Sequence, residues 1–387
     1  MNRAPISPAD ARRSVIAAAH SVVVKVGTRV LTTSSGKLDR QRIEILSAQL
    51  CRIADSGRQV ILVSSGAVGA GVAKLGLERR PHGLAQLQAV AAVGQADLIL
   101  AYEQSFAAAG RHAAQVLLTA TDLRRRSGYL NVRNALTQIH AFGSIAVINE
   151  NDCVAVSELM TTFGDNDRLA AQVAGLMSDA VLIILSDVDG LYDGPPSDSA
   201  SRRIELVETI DDSVLAMAQV HRAADSKGGM ASKLHAAQVA TSHGHATIIA
   251  PGRDDQVLDK IFAGQTIGTL FLAPEKSIRG RRRWIGTAAR IEGTLRLDAG
   301  AANAVCKTGS SLLAIGITAV EGAFRRGSVV SIVDPLGQEI ARGLSNYPAA
   351  EVAKILGKSS DQIAVVLGHR PYESVVHRDN LVLTSHT

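Results

Sequence analysis

AVLIILSD, residues 180–187, is an unbroken apolar run, rich in β-branched residues, that ends at Ser186 and Asp187. Five runs of the same character accompany it: VVVKVG (22–27), QVILVSS (59–65), AAQVLLT (113–119), IAVINEN (145–151) and HATIIA (245–250). A strand that is apolar at nearly every position needs cover on both faces, and longer helical patterns separate these runs. The chain is therefore predicted to be α/β, an open, mostly parallel sheet sandwiched by helices. One such helix is expected between Asp39 and Gly57, where Ile43, Leu46, Leu50 and Ile53 recur at helical spacing between an Asp start and a Gly stop.

At 387 residues the chain is too long for one typical core. Beyond PEKSIRGRRR (274–283) the pattern changes to short alternating strands with glycine turns, as in GSVVSIVDPLGQEIARG (327–343). We expect an α/β domain over 1–275, a linker over 276–283 and a small β-rich domain over 284–383. Of the 41 basic and 36 acidic residues, 14 and 9 fall from residue 279 onward, so the net charge of +5 lies wholly in the last quarter. The three cysteines, Cys51, Cys153 and Cys306, are too far apart for a disulfide framework or a CxxC metal site. The N-terminal apolar run is too short for a signal peptide, and no stretch approaches the roughly 20 apolar residues of a membrane span. A cytoplasmic location is expected.

Open parallel sheets bind ligands at the carboxyl ends of their strands. The first strand ends in Lys25-Val26-Gly27-Thr28. A lysine in an apolar strand either snorkels to water or reaches a charged partner. The second runs into Ser64-Ser65-Gly66-Ala67-Val68-Gly69-Ala70-Gly71, whose glycines either bring backbone amides toward a ligand or make a tight turn. Neither the dinucleotide G-x-G-x-x-G nor a Walker P-loop is present. The G-x-S-x-G elbow that a nucleophilic Ser64 or Ser65 would need is also missing. Asn149 to Asp152 and Gly164 to Arg168 supply amides and carboxylates, although Asp165 or Asn166 could simply cap a helix. Lysines facing glycine loops, with carboxylates available for Mg²⁺, suit phosphoryl transfer, where catalysis is mostly positioning and charge neutralisation.

These motifs carry a family resemblance. VVVKVGTRVLT (22–32), VSSGAVGAG (63–71), AVAAVGQADL (89–98), LLTATDLRRRSGYLNVRN (117–134), VINENDCVA (147–155), FGDNDRLAAQVA (163–174), SDVDGLY (186–192) and GGMASKLHAA (228–237) resemble the glutamate 5-kinases, a branch of the amino acid kinase family. RRRWIGTA (281–288), GSSLLAIGITAVEGAFRRGSVVSIV (309–333) and ARGLSNY (341–347) are similar to the barrel-like PUA domain that follows the kinase domain in the bacterial members. The resemblance spans roughly Val22 to Leu383.

It implies ATP-dependent phosphorylation of the γ-carboxylate of L-glutamate to γ-glutamyl phosphate, the first step of proline synthesis, with ATP and Mg²⁺. By motif, Lys25, Lys233 and Asp167 would be catalytic, Asp167 organising the two lysines. Ser65, Asp152 and Asn166 would hold glutamate. Lys25, Ser186, Asp187, Lys227, Gly228, Gly229, Met230, Ala231, Ser232 and Lys233 would lie at ATP. The resemblance assigns no metal ligands. It further implies feedback inhibition by L-proline and a homo-oligomer, dimer or tetramer, with no membrane contact. The PUA domain, with Arg279, Arg281, Arg282, Arg283, Arg325 and Arg326, suggests contact with RNA. Where the family usually reads Gly-Thr-Gly-Gly-Met this chain has Ser226-Lys227-Gly228-Gly229-Met230, which leaves the role of Lys227 open. The alternative is a sister kinase acting on another carboxylate.

Overall fold

The computed structural model describes residues 6–33, 36–119, 122–123, 126–154, 165–220, 229–274 and 291–384. By their internal packing they form two compact units, one of residues 1–125 and 131–277, the other of 126–130 and 278–387.

The first unit holds an eight-stranded sheet. Its strands β1 (Ser21–Val26), β2 (Gln59–Val63), β3 (Ala113–Leu118), β4 (Ile145–Glu150), β5 (Ala180–Ser186) and β9 (Thr247–Pro251) are the six apolar runs of the sequence. β6 (Leu191–Tyr192) and β7 (Arg203–Ile204) pair as a separate antiparallel ribbon, and with β8 (Leu206–Val207) and β10 (Thr269–Phe271) the sheet order is β3-β4-β2-β1-β5-β9-β10-β8, β10 antiparallel to β9 and β8 parallel to β10. The first six strands are all parallel, so their carboxyl ends share one edge. Strand β1 is central, Lys25 standing opposite Val63 on one side and Ile184 on the other.

Every residue of β1, β4 and β5 is buried, as their unbroken apolar character predicts. Val22, Val24 and Val26 alternate into a core with Leu50, Tyr102 and Phe106, which leaves Val23 and Lys25 on the other face. That face is met by the helix Asp165–Leu176, itself packed on the helix Met230–Ser242. The expected helix after Asp39 runs Arg40–Asp55. The Asp39 carboxylate accepts from the Arg42 amide at 3.0 Å, and Gly57 leaves the helix at φ +83°.

By length and composition the helix Leu84–Ala107 is long and apolar enough to cross a membrane, contrary to the expectation that no stretch is. Part of its surface faces the unit's interior: it buries Leu87, Val90, Ala91, Leu98, Ala101, Tyr102 and Phe106 and packs against the helices Arg40–Asp55 and Ala67–Lys74. The contact with Ala67–Lys74 is backbone to backbone. A Cβ on Gly71 would lie 1.9 Å from the Val90 carbonyl oxygen, and one on Gly94 would lie 1.8 Å from that of Ala67. Gly71 therefore serves helix packing, a role beside the two, ligand approach or tight turn, that the sequence left open for these glycines. Gly66, at φ +104°, makes the turn from β2 into the helix.

In the second unit β11 (Ile291–Leu297), β12 (Ile317–Gly322), β13 (Val329–Val333), β14 (Glu339–Leu344) and β15 (Leu381–Leu383) form a sheet in the order β12-β11-β13-β14-β15. Leu295, Leu297, Val330, Ile332 and Tyr347 pack its core with Val352 and Ile355 of the helix Ala349–Ile355. A capping box, Ser359 with Gln362, starts the helix Ser360–Leu367.

The Gly71–Gly94 contact makes a direct prediction. Gly94→Ala should lower the unfolding free energy by about 1–3 kcal/mol, the usual result of forcing an extra methyl into a packed contact. Gly69→Ala, whose Cβ meets nothing closer than 3.5 Å, should be tolerated. Urea denaturation of the two variants checks the contrast.

Candidate active site

The carboxyl edge of the sheet brings together two clusters, one of charges and one of amides. The charged cluster begins with Lys25, near the end of β1 and 7% exposed. Its Nζ lies 2.6 Å from Oδ1 of Asp167, a carboxylate 1% exposed in the first turn of the helix Asp165–Leu176. The lysine thus reaches a charged partner rather than snorkelling. The other Asp167 oxygen accepts from the Ser232 hydroxyl at 2.9 Å. Lys233, one residue on, is also buried. Burial lowers its pKa, Asp167 opposes that shift, the neighbouring Lys25 adds to it, and Asp187 and Arg29 act more weakly.

Ser186 and Asp187 lie at the end of β5. The Ser186 hydroxyl donates to Asp187 Oδ1 at 3.0 Å, and Arg29 Nη1 donates to Oδ2 at 2.8 Å. Burial would raise the Asp187 pKa, but the Arg29 and Ser186 hydrogen bonds and the Lys233 charge hold it below the ordinary carboxylate value. Arg29 was not among the residues expected from the sequence. A single arginine after Gly27-Thr28 gives no local signal that its side chain turns back to another strand.

Gly229 precedes the helix Met230–Ser242 with no side-chain cap. The first residues of the helix, Met230 and Ala231, therefore retain amide donors of the kind that attract anions, while the Ser232 amide donates to the Gly229 carbonyl at 3.1 Å. Lys227 and Gly228 lie outside the described residues.

The amide cluster joins β2, β4 and two helices. Asn166 Nδ2 donates to Ser65 Oγ at 3.0 Å and to Asn149 Oδ1 at 3.2 Å. Asn149 Nδ2 in turn donates to Gln95 Oε1 at 2.7 Å. Asn166 is the second residue of its helix and turns its amide inward, so it is not the N-cap that the sequence also allowed. Its Oδ1 is buried and accepts no hydrogen bond. Asp152, past the end of β4, has a pKa raised to about 6 by burial, with the Arg80 charge opposing the shift. Ser64 is fully buried and bonded to the Tyr102 hydroxyl at 3.1 Å, so it is placed as a structural residue and not as a nucleophile.

Chemically, the charged cluster has three cations, Lys25, Lys233 and Arg29, against two carboxylates, Asp167 and Asp187. Such a site favours an anion. The amide cluster beside it offers a hydroxyl, an orphaned carbonyl oxygen and a carboxylate, the complement of a small zwitterion.

Comparison with known proteins identifies the family. Residues 21–251 match the amino acid kinase family and residues 293–367 match the PUA domain. Glutamate 5-kinase of Rhodopirellula baltica is 63% identical over 372 residues, 96% of this chain and 96% of that protein. Glutamate 5-kinase of Moorella thermoacetica is 45% identical over 373 residues, 96% of this chain and 98% of that protein. Among solved structures, carbamate kinase from Giardia lamblia aligns with a TM-score of 0.46 at 19% identity, over 66% of this chain and 99% of that one. The chain belongs to the glutamate 5-kinase branch of the amino acid kinase family, with a PUA domain after the kinase domain.

Proposed function

We propose that this chain transfers the γ-phosphoryl group of ATP to the γ-carboxylate of L-glutamate, giving γ-glutamyl phosphate and ADP, the first step of proline synthesis. The observation that carries the reading is the buried Lys25–Asp167 pair, with Ser232 bonded to Asp167 and Lys233 in its field, at the strand ends beside the amide cluster.

The chemistry fits the residues. A free γ-carboxylate has a pKa near 4.3, so at neutral pH the nucleophile is already ionised and needs no general base. What the site must supply is positive charge, because an anion approaches a polyanion. Lys25 and Lys233 supply it in a water-poor setting, where fixed charge acts more strongly than in water. Asp167 keeps the two ammonium groups close despite their repulsion, and Ser232 fixes the Asp167 carboxylate in turn. The amides of Met230 and Ala231, at the start of the helix after Gly229, meet phosphate oxygens, and Ser186 and Asp187 flank the nucleotide. Mg²⁺ enters as part of the MgATP substrate and neutralises phosphate charge.

On the acid side, the Ser65 hydroxyl, already an acceptor from Asn166, keeps its hydrogen for a substrate carboxylate. Asn166 Oδ1 and the Asp152 carboxylate receive the α-ammonium group. A sister kinase for an N-acylated acid would have no use for these two acceptors. The same reading places the enzyme in the cytoplasm, assembled as a dimer or tetramer through its kinase domain and inhibited by L-proline near the glutamate site. The basic surplus of the last quarter supports RNA contact by the C-terminal domain.

Three measurements test this reading. Glutamate-dependent ADP release in the presence of hydroxylamine should yield γ-glutamyl hydroxamate, and no trapped product would reject the assignment. Lys233→Ala should reduce turnover by about 100-fold or more, a loss typical of removing a transition-state charge donor, while its melting curve stays close to that of the parent. The glutamate kcat/KM should fall as pH drops below about 6, where Asp152 becomes neutral and releases the ammonium group. Asp152→Asn should remove that acidic limb and leave a uniformly low value.

A further inference from the structure

Gln95 is a polar residue in an apolar helix, 8% exposed, and the phosphoryl-transfer chemistry does not call for it. It sits beside Gly94, whose contact with the Ala67 carbonyl and the Gly71 amide fixes how deeply its helix lies. One heptad earlier on the same helix, Gln88 donates from Nε2 to the carbonyl oxygen of Cys153 at 3.1 Å. Residues seven apart lie on one face of a helix. Two glutamines of this helix therefore bracket the way out of β4, Gln95 at Asn149 near the strand's end and Gln88 at Cys153 in the turn that follows. That turn carries Asp152.

We propose that Gln95 is a positioning residue for the substrate's α-ammonium group, acting through the Asn149 and Asn166 amides. The inference rests on the reading of this cluster as the glutamate site. The bonds run in one sense from Gln95 Oε1 to the site: Gln95 accepts from Asn149 Nδ2, and Asn149 Oδ1 accepts from Asn166 Nδ2. Asn166 Nδ2 uses its second hydrogen on Ser65, so the one Asn166 atom left over is the buried acceptor Oδ1.

An amide offers donors on one side and an acceptor on the other, so linked amides keep their bonds only by turning together. With Gln95 Oε1 as the inner acceptor, the outer end presents an acceptor, which suits an ammonium group. With the order reversed, the outer end would present N–H groups and repel one. With its Oε1 on Asn149 and its own Nε2 buried and unbonded, Gln95 thus holds the chain of amides in the sense that leaves an acceptor at Asn166, without touching the acid itself.

The test compares L-glutamate with glutarate, which keeps both carboxylates and lacks the ammonium group. In Gln95→Met, which has similar size and no amide, the KM for glutamate should rise about 10-fold, the usual consequence of leaving a buried donor unpaired. The kcat, the KM for ATP and the inhibition constant of glutarate should change by less than about twofold, far below that unpaired-donor effect. Gln95→Glu keeps the inner acceptor and should restore the preference for glutamate over glutarate. Gln95→Asn withdraws the acceptor by one methylene and should reproduce the Met result, which keeps the test intact if the Met variant does not fold. An equal loss for glutamate and glutarate, no loss at all, or a Glu variant as poor as Met would overturn the inference while leaving the kinase assignment standing. A parent enzyme that releases no ADP with glutamate would overturn the assignment and this inference with it.

Discussion

The ion pair between Lys25 and Asp167 is the constraint around which the rest of the site is arranged. Its side chains are only 9% and 2% exposed. Taking both charges out of water is expensive, and mutual attraction repays that only with good geometry and further hydrogen bonds. Here the geometry is a 2.6 Å contact and the further bond comes from Ser232. A well-packed apolar pair would serve stability as well or better, so stability alone does not explain charge in the core. Once present, each partner requires the other, because breaking a buried pair by removing one member typically costs about 3–5 kcal/mol. The pair fixes a strand, a helix start and, through Ser232, a second helix start at one point.

The sequence made much of this legible. Runs such as AVLIILSD name a strand that water cannot touch on either side, and six of them separated by helices leave few architectures other than a parallel sheet. Lys25 stood out for the same reason, since a cation in such a run needs a partner. The identity of a partner is harder to read, because Asp167 is distant in sequence and joins Lys25 only through the crossover geometry of the sheet.

Gly71 shows a different limit. Its lack of a side chain announced a close backbone approach, but nothing local said that the approaching group was Val90 of a neighbouring helix rather than a ligand. The helix Leu84–Ala107 hid itself in a similar way. Apolar on most of its circumference although only part of it is buried in the unit, it has the composition of a membrane span, and Gln95 within it gave no periodic signal of its own. Arg29 likewise follows an ordinary strand end, and its pairing with Asp187 depends on β1 and β5 being neighbours.

The helix Asp165–Leu176 explains why the two clusters hold together as one site. Asn166 and Asp167 are consecutive, and successive residues of an α-helix point about 100° apart. One therefore turns to Ser65 and Asn149, at the ends of β2 and β4, while the next turns to Lys25 and Ser232. The amide cluster and the charged cluster are thus held by a single rigid turn rather than by two loops. A shift of that turn would disturb both at once, loosening a buried ion pair on one side and an amide chain on the other. Because the ion pair resists such a shift, the charge placed in the core also holds the register of the amides.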